Sequence, residues 1–293
     1  MPSLEALARL REQGAIELVA AVTRPDRPGH RGRISAPAVK TRALQLGLPV
    51  LQPERLSDDG LREVLALRPE ALVWAAYGAI VPRALLDAVG GRAVNVHPSL
   101  LPRWRGAEPV AHAILAGERE TGVTLMQGSA ELDAGDILAQ ELVAIGGETT
   151  GELEARLAEV GARLLERELP RYLRGEIEPR PQDPAGVKWA PKLDPAQGEL
   201  DFERPADELA RVVRAYAPDP GAFTFVHGKR LRVLGAQAVP GPAATPGELV
   251  VRGGQPELAT AAGWLRLLTL QPAGKRAMSG ADWARGAGRT LET

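Results

Sequence analysis

The sequence of 293 residues contains no cysteine. Disulfides, thiol nucleophiles and thiolate metal sites are therefore excluded, and a cytoplasmic location is expected because it fits this absence. Nowhere does the chain approach the roughly 18 consecutive apolar residues that a membrane-spanning helix needs. Its first residues form a charged helical pattern rather than a secretory signal, so no membrane partner is expected. The spacing of histidines and carboxylates suggests no metal-ligand cluster, so no metal is expected either.

An excess of charge of one sign is also absent, since 36 basic residues face 37 acidic ones for a net charge of −1. A protein that binds polyanions over its whole surface is therefore not indicated, and any nucleic-acid contact must come from a local basic patch. No internal repeat or low-complexity tract is found. What remains is an ordinary globular composition, 44% hydrophobic and 25% charged, in a chain long enough for two domains.

Short apolar runs alternate with helical patterns through the first part of the chain. Such alternation is typical of an α/β fold, and it predicts a Rossmann-like, mostly parallel sheet with helices on both faces. The predicted strands span 16–22, 71–76, 93–96 and 123–127. The predicted helices span 3–13, 37–46, 60–67, 82–88 and 152–173.

The composition changes at 176–199, where several prolines occur without hydrophobic periodicity, which indicates a linker. Beyond it, short strands with glycine-containing turns predict a small OB-like β-barrel. These strands span 222–226, 229–236, 247–252, 257–261 and 264–270, after a helix at about 205–215. The expected domains are thus a catalytic domain (1–178), a linker (179–199) and a C-terminal domain (200–293).

A dense polar group begins at the carboxyl end of the strand predicted at 93–96, the edge where open α/β sheets bind ligands. Asn95 and His97 are two residues apart in an extended strand, so both side chains can face one cleft. An asparagine amide can donate to an oxyanion, and a histidine can act as an acid or base near neutral pH. Asp133, after the strand predicted at 123–127, is a candidate to orient the imidazole.

Each of these residues also has a purely structural interpretation. An asparagine before a turn often caps the backbone, a single histidine can be a satisfied core residue, and an aspartate before Ala134-Gly135 can simply form a turn. Spacing alone leaves both interpretations of Asn95, His97 and Asp133 open, since single motifs match by chance.

The segment 95–102, Asn-Val-His-Pro-Ser-Leu-Leu-Pro, with Leu132-Asp133 downstream, resembles the signature of folate-dependent formyltransferases. This resemblance implies that Asn95, His97 and Asp133 are catalytic and that 10-formyltetrahydrofolate is the formyl donor. The segment 76–82 looks like the family's pterin-pocket loop. The folate contacts implied by the resemblance are Tyr77, Gly78, Ile80, Ser99, Leu100, Leu101, Pro102 and Asp136.

Three further stretches resemble the branch of this family that formylates methionyl-tRNA. They are a basic insertion at 23–33, an extended motif at 101–109, and C-terminal stretches at 189–192 and 218–231. Arginine pairs with phosphates and stacks on bases, although most loops of this kind are only solvated surface. The resemblance implies methionyl initiator tRNA as partner, and a monomer is expected. The tRNA contacts expected in and beside the insertion are Arg24, Arg27, Arg31, Arg33 and Lys40. In the second domain, Lys229 and Arg230 are further candidates for phosphate contacts, although their charges can equally form a solvated face.

The start of the chain departs from the family, in which a first strand and a Gly-Thr-Pro-type loop precede the helix that here begins at Pro2. A gap or a non-native neighbour in the sheet is therefore expected. Either the start is misassigned and the natural protein is longer, or the chain is a truncated copy. Two rival functions stay open: a formyltransferase for a small nucleotide, which the basic loop argues against, and a non-catalytic RNA-binding relative, which the catalytic trio argues against.

Overall fold

The computed structural model describes residues 1–28, 34–78 and 80–291. Its helices in these ranges are α1 (Pro2–Glu12), α2 (Ala38–Gln45), α3 (Asp58–Ala66), α4 (Arg83–Ala88), α5 (Pro109–Leu115), α6 (Thr150–Leu173), α7 (Ala206–Tyr216) and α8 (Gly280–Leu291). Its strands there are β1 (Ala21–Val22), β2 (Arg27–Pro28), β3 (Ile34–Ser35), β4 (Val50–Leu51), β5 (Leu72–Ala75), β6 (Ala93–His97), β7 (Arg105–Gly106), β8 (Glu120–Gln127), β9 (Ile137–Ala144), β10 (Trp189–Ala190), β11 (Ala222–Val226), β12 (Lys229–Val239), β13 (Leu249–Arg252), β14 (Gln255–Ala259), β15 (Trp264–Pro272) and β16 (Met278–Ser279).

The chain folds into two compact units. The first unit comprises Met1–Ala107, Thr121–Ala144 and Ala155–Ala190, and the second comprises Glu108–Glu120, Ile145–Glu154 and Pro191–Thr293. Within the described ranges, no helix has the length and apolar character required to cross a membrane.

The four-stranded sheet of the first unit has the order β5-β6-β8-β9. Strands β5 and β6 are parallel, as the alternation of strands and helices predicts, whereas β8 runs antiparallel to β6. A parallel neighbour needs a crossover that covers the sheet, usually a helix. Helix α5, which lies between β6 and β8 in sequence, instead packs on α7 in the second unit. The prediction of an α/β fold is confirmed, except that β8 runs antiparallel to its neighbour β6.

The strand predicted at 16–22 is shorter than expected, because only β1 at its end is paired in a ladder. It pairs in parallel with β4, and among the described residues no ladder joins this pair to the four-stranded sheet. A strand with one neighbour leaves half of its backbone groups without a ladder partner. Val19, in the unpaired part of the predicted strand, is 41% exposed. The parallel strands described for the first unit therefore lie in three separate sheets: β1 with β4, β7 with β10, and the four-stranded sheet that contains β5 and β6.

Helix α6 supplies much of the first unit's core. Its predicted apolar side is buried, including Leu157, Val160, Leu164 and Leu165, and each buried leucine contributes on the order of 2 kcal/mol. The helix lies close to β6 at Gly161, where an added Cβ would meet Val96 Cγ1 at 2.8 Å. A glycine is required at this position because the strand that carries Asn95 and His97 packs directly on the helix backbone.

The second unit is built on an antiparallel sheet of order β11-β12-β15-β14-β13, with β16 paired to β15. Its core includes the buried Trp264, Leu265 and Leu267 of β15, and α7 packs on β12. The predicted β domain of short strands with tight turns is confirmed. The strands of the predicted OB-like domain form this antiparallel sheet, and among the described residues no ladder joins β11 to β13.

Candidate active site

Strand β6 carries two polar side chains into the interior of the first unit. All five of its residues are buried, because β5 and β8 flank it in the sheet and α6 packs against it. Asn95 is 7% exposed and His97 is 4% exposed. Their spacing of two residues places both on one face of the strand, as the sequence predicts.

Asp133 joins these two residues, and the structure thus brings the three predicted catalytic residues together. Its Oδ1 atom lies 3.5 Å from Asn95 Nδ2, and its Oδ2 atom lies 3.8 Å from His97 Nδ1. The backbone N–H of Gly106 donates to the same Oδ2 at 2.9 Å. Asp133 is 9% exposed, so most water is excluded from its carboxylate. The donors Asn95 and Gly106 take the place of that water.

The imidazole of His97 has a defined tautomer. Its Nε2 atom lies 2.9 Å from the carbonyl oxygen of Trp104, and a carbonyl can only accept, so Nε2 carries a proton. In the neutral ring, Nδ1 then presents a lone pair toward Asp133. Burial lowers the pKa of His97, and this effect exceeds the opposing attraction of Asp133 and of the Trp104 carbonyl. The resting site therefore has a neutral imidazole beside a carboxylate, with room for one proton between them.

Folding stability is expected to fall as the pH falls below 6.5, the ordinary histidine pKa. In the window between 6.5 and the lowered pKa of folded His97, the unfolded chain binds a proton that the folded chain does not, so acid favours unfolding. Urea unfolding of the wild type, of His97→Asn and of the control His227→Asn between about pH 5 and pH 7.5 checks this expectation. The pH dependence should flatten in His97→Asn but persist in His227→Asn, since His227 is exposed. Equal slopes in all three proteins would contradict the burial argument.

The loop after β6 is fixed by its own hydrogen bonds. Ser99 is completely buried, and its Oγ donates to the carbonyl of Arg103 at 2.6 Å. Thr124 Oγ1 donates to the Ser99 carbonyl at 2.6 Å and accepts from the N–H of Leu101 at 3.1 Å. Gln140 Nε2 donates to the Leu101 carbonyl at 2.9 Å. Ser99 and Leu101, both predicted folate contacts, therefore shape this loop from inside.

The remaining predicted folate contacts after β6 and β8 are more accessible. Leu100, Pro102 and Asp136 are all half-buried. The carbonyl of Asp136 accepts from the N–H of Gln127 at 2.8 Å, which ties the base of the loop that carries Asp133.

The predicted pterin loop follows β5, next to the carboxyl end of β6. Tyr77 is half-buried, and burial raises the pKa of its hydroxyl, whereas Gly78 and Ile80 are exposed, Ile80 by 81%. The guanidinium of Arg24 donates to the carbonyls of Tyr77, at 3.1 Å, and of Gly78. Arg24, a predicted tRNA contact, thus supports the backbone of the pterin loop.

Hydrogen bonds also fix the N-terminal part of the basic insertion at 23–33, which is called the basic loop below. Gln52 Nε2 donates to Asp26 Oδ1 and to the carbonyl of Arg24, both at 2.8 Å, and Lys40 Nζ lies 2.7 Å from Asp26 Oδ2. The hydrogen bond from Lys40 is the main cause of the lowered pKa of Asp26, followed by that from Gln52. The ammonium group of Lys40 is therefore already paired with the carboxylate of Asp26. The exposed Arg27 pairs through its backbone with Ser35 of β3.

Two other predicted tRNA contacts, Arg31 and Arg33, lie outside the residues that the structure describes. In the second unit, Lys229 and Arg230 are exposed on β12. The guanidinium of Arg230 stacks 3.7 Å from the ring centroid of Phe223, an arrangement that leaves its outer face open to solvent.

Sequence reasoning missed residues that hold the site in shape. Gly106 has φ +124°, and an added Cβ would lie 2.6 Å from the carbonyl oxygen of Ala190. Gln182 Nε2 donates to the carbonyls of Asp133 and Gly135, although the sequence places Gln182 in a linker. Only Gly106, inside the recognised motif, gave a signal in the sequence. Over the described part of the chain, no group of three or more potential metal ligands is found.

Comparison with known families accounts for both ends of the chain. Residues 3–169 match the formyl transferase family, and residues 192–288 match the formyl transferase C-terminal domain. The class of protein that these two matches define is therefore an enzyme that transfers formyl groups.

Curated relatives define the branch. The chain is 47% identical to the methionyl-tRNA formyltransferase of Chloroflexus aggregans, over 92% of this chain and 89% of that one. It is 45% identical to the methionyl-tRNA formyltransferase of Roseiflexus sp., over 96% of this chain and 88% of that one. At this identity and coverage, the chain belongs to the methionyl-tRNA formyltransferase family.

Solved structures support the fold. The crystal structure of HypX from Aquifex aeolicus in complex with tetrahydrofolic acid matches with a TM-score of 0.67 and 21% identity. The match covers 94% of this chain and 48% of HypX, so the chain spans about half the length of that protein.

Proposed function

We propose that this protein transfers the formyl group of 10-formyltetrahydrofolate to the α-amino group of methionyl initiator tRNA. The observation that carries the proposal is the buried cluster of Asn95, His97 and Asp133, in a chain that belongs to the methionyl-tRNA formyltransferase family. The names of the relatives supply the acceptor, and the resemblance of the 95–102 segment to the folate-dependent signature supplies the donor.

The surroundings of the cluster are compatible with the folate as a substrate. The exposed Ile80 and Leu132 offer apolar surface for a ring system on the loops that follow β5 and β8. The folate contacts that we propose are Tyr77, Gly78, Ile80, Ser99, Leu100, Leu101, Pro102 and Asp136. Ser99 and Leu101 would act by fixing the loop, because their side chains are buried.

The reaction begins when the neutral amine of the methionyl ester attacks the formyl carbon, which forms a C–N bond and places negative charge on the formyl oxygen. The Asn95 amide has two N–H donors, of which one faces Asp133, so the other serves to stabilise that oxyanion. No covalent enzyme intermediate is needed, because the amine attacks the formyl carbon directly.

The proton balance follows from the tautomer of His97. The attacking nitrogen loses a proton, and the two lone pairs between His97 Nδ1 and Asp133 Oδ2, 3.8 Å apart, hold it. Imidazolium is stabilised there by the carboxylate and by the Trp104 carbonyl. The same proton then moves to N10 of the folate as the C–N10 bond breaks, so His97 returns to its neutral state.

For the tRNA, we propose the basic loop and the second unit as contacts. Arg27, Arg31 and Arg33 would approach the phosphates of the acceptor end, and Lys229 and Arg230 would add contacts from β12. Arg24 and Lys40 would contribute mainly by fixing the loop root, since both already bind protein groups. We further propose a catalytic domain at 1–178, a linker at 179–199, a tRNA-binding domain at 200–293, and a monomer that acts in the cytoplasm.

Formyl transfer from 10-formyltetrahydrofolate is expected with methionyl initiator tRNA as acceptor and not with a nucleotide-linked amino sugar or glycinamide ribonucleotide. Purified protein is incubated with each acceptor, and the formylated product is quantified after acid quenching. The fold is checked by circular dichroism, and folate binding by tryptophan fluorescence. Transfer to a small nucleotide alone would overturn the proposed acceptor. Folded, folate-binding protein without any transfer would favour the non-catalytic RNA-binding function.

A further inference from the structure

Asp133 occupies a backbone conformation that needs support. Its φ of +50° lies in the left-handed region, which side chains other than glycine adopt only when their surroundings hold them there. The backbone hydrogen bond across this turn, from the N–H of Ala134 to the carbonyl of Glu131, is long at 3.4 Å. The position of the catalytic carboxylate therefore depends on groups outside the turn.

Gln182 supplies that support through a single amide group. Its Nε2 atom donates to the carbonyl of Asp133 at 2.9 Å and to the carbonyl of Gly135 at 2.7 Å. These two carbonyls flank Ala134, so one NH2 group ties both ends of the left-handed turn.

The orientation of the Gln182 amide is fixed by Arg105. The Nε and Nη2 atoms of Arg105 lie 3.0 and 2.8 Å from Gln182 Oε1. A guanidinium can only donate and the carbonyls of Asp133 and Gly135 can only accept, so a flipped amide would be repelled on both sides. The amide has one stable orientation, and the turn is held in one place.

Gly106, Arg105 and Gln182 form a continuous series of contacts that begins and ends at Asp133. Arg105 precedes Gly106, whose N–H donates to the Asp133 carboxylate at 2.9 Å, and β7, which contains both, pairs with β10. The side chain of Asp133 is thus held by Gly106, and its main chain by Gln182. Gln182 lies between the two matched family regions, which end at residue 169 and begin again at residue 192.

We propose that Gln182, oriented by Arg105, is a positioning residue that sets the separation between the Asp133 carboxylate and His97. It touches neither His97 nor Asn95 through the hydrogen bonds above and acts only through Asp133. The proposal rests on the catalytic role of Asp133 in the proposed function.

The test uses Gln182→Met, which keeps side-chain length and charge but removes every hydrogen bond of the amide. Its control is Gln197→Met, because Gln197 is exposed in the second unit. Gln182→Met should lower kcat for formyl transfer about tenfold or more while KM for folate and tRNA stays within about twofold, since positioning affects the transition state. Gln197→Met should match the wild type.

A second readout does not depend on activity. The chain has four histidines, so the ring of His97 can be followed by NMR during a pH titration. Displacement of the carboxylate removes an attraction that favours the charged ring, and the midpoint for His97 should fall in Gln182→Met but not in Gln197→Met. If the enzyme transfers no formyl group to any acceptor, this titration still decides whether Gln182 positions Asp133. An unchanged midpoint, or an unchanged kcat, in folded Gln182→Met would overturn the proposal.

Gln182→Glu provides a variant that retains the anchor to Arg105. Its ionised carboxylate still accepts from the guanidinium but repels the carbonyls of Asp133 and Gly135, so kcat should fall. Protonation at lower pH restores an O–H donor, and the deficit relative to wild type at the same pH should shrink. A deficit that is constant with pH would show that the donor function of this amide is irrelevant.

Discussion

Replacing Asp133 with asparagine should lower kcat for formyl transfer by about 10²–10⁴-fold while the fold stays intact. An asparagine has almost the size and shape of the aspartate, and it can keep its oxygen 2.9 Å from the N–H of Gly106. The backbone and packing are therefore preserved. What is lost is the negative charge 3.8 Å from His97 Nδ1, which stabilises the proton held during transfer.

The effect is separated from general damage by a matched variant. Asp87→Asn makes the same chemical change on the exposed side of α4, where Asp87 pairs with Arg83 of the same helix. Circular dichroism and urea unfolding establish that both variants fold, and single-turnover kinetics with saturating folate measure the transfer step. If Asp133→Asn kept more than about a tenth of the wild-type rate, the proton-holding role of the His97–Asp133 pair would be wrong.

Most helices and strands could be predicted because their periodicity is local. Helix α6 is one example, since its buried leucines recur at helical spacing. In the second unit, β11 is found at its predicted bounds of 222–226. Strand β9 is not evident from the sequence, because Ile-Leu-Ala-Gln-Glu-Leu-Val-Ala does not alternate strictly between apolar and polar residues. The antiparallel direction of β8 is likewise not evident from the sequence, because local periodicity does not show which way a strand runs beside its neighbour.

The proposed catalytic residues Asn95, His97 and Asp133 could be named from the sequence, but the geometry that brings them together could not. Asn95 and His97 share a face because of the two-residue period of a strand, which is a local rule. The approach of Asp133 depends on a left-handed turn and on Gln182, which is 49 residues away in sequence. The proline-rich composition around Gln182 predicts a linker, although β10 and Gln182 both contact the site segment in the structure.

The basic loop illustrates a second limit of sequence reasoning. A cluster of arginines and a lysine suggests one phosphate-binding surface, but the pattern does not show which charges are already used. In the structure Arg24 supports the carbonyls of Tyr77 and Gly78, and Lys40 binds Asp26. The loop that would meet tRNA is therefore rooted, through Arg24, on the loop that would meet folate, which gives the two substrates a shared structural support.

Replacing Gly106 with alanine is expected to destabilise the fold by about 2–3 kcal/mol and to reduce formyl transfer as well. The φ of +124° is unfavourable for any side chain, and the new Cβ would lie 2.6 Å from the carbonyl oxygen of Ala190. Relief of this contact must move β7 away from β10 or rotate the peptide of residue 106. Either motion withdraws the N–H that binds Asp133 at 2.9 Å.

Gly47→Ala separates the two causes of this effect. Gly47 also has a positive φ, +71°, but a Cβ there would meet nothing within 4 Å. It should therefore cost about 1–2 kcal/mol, the strain of the left-handed backbone alone, and leave kcat unchanged. Urea unfolding of both variants gives the difference that belongs to the Ala190 contact. If both variants lost the same stability and both kept full activity, Gly106 would be required only for its positive φ and not for holding Asp133. A larger loss of stability in Gly106→Ala together with a lower kcat would show that the approach of β7 to β10 holds the Asp133 carboxylate in place.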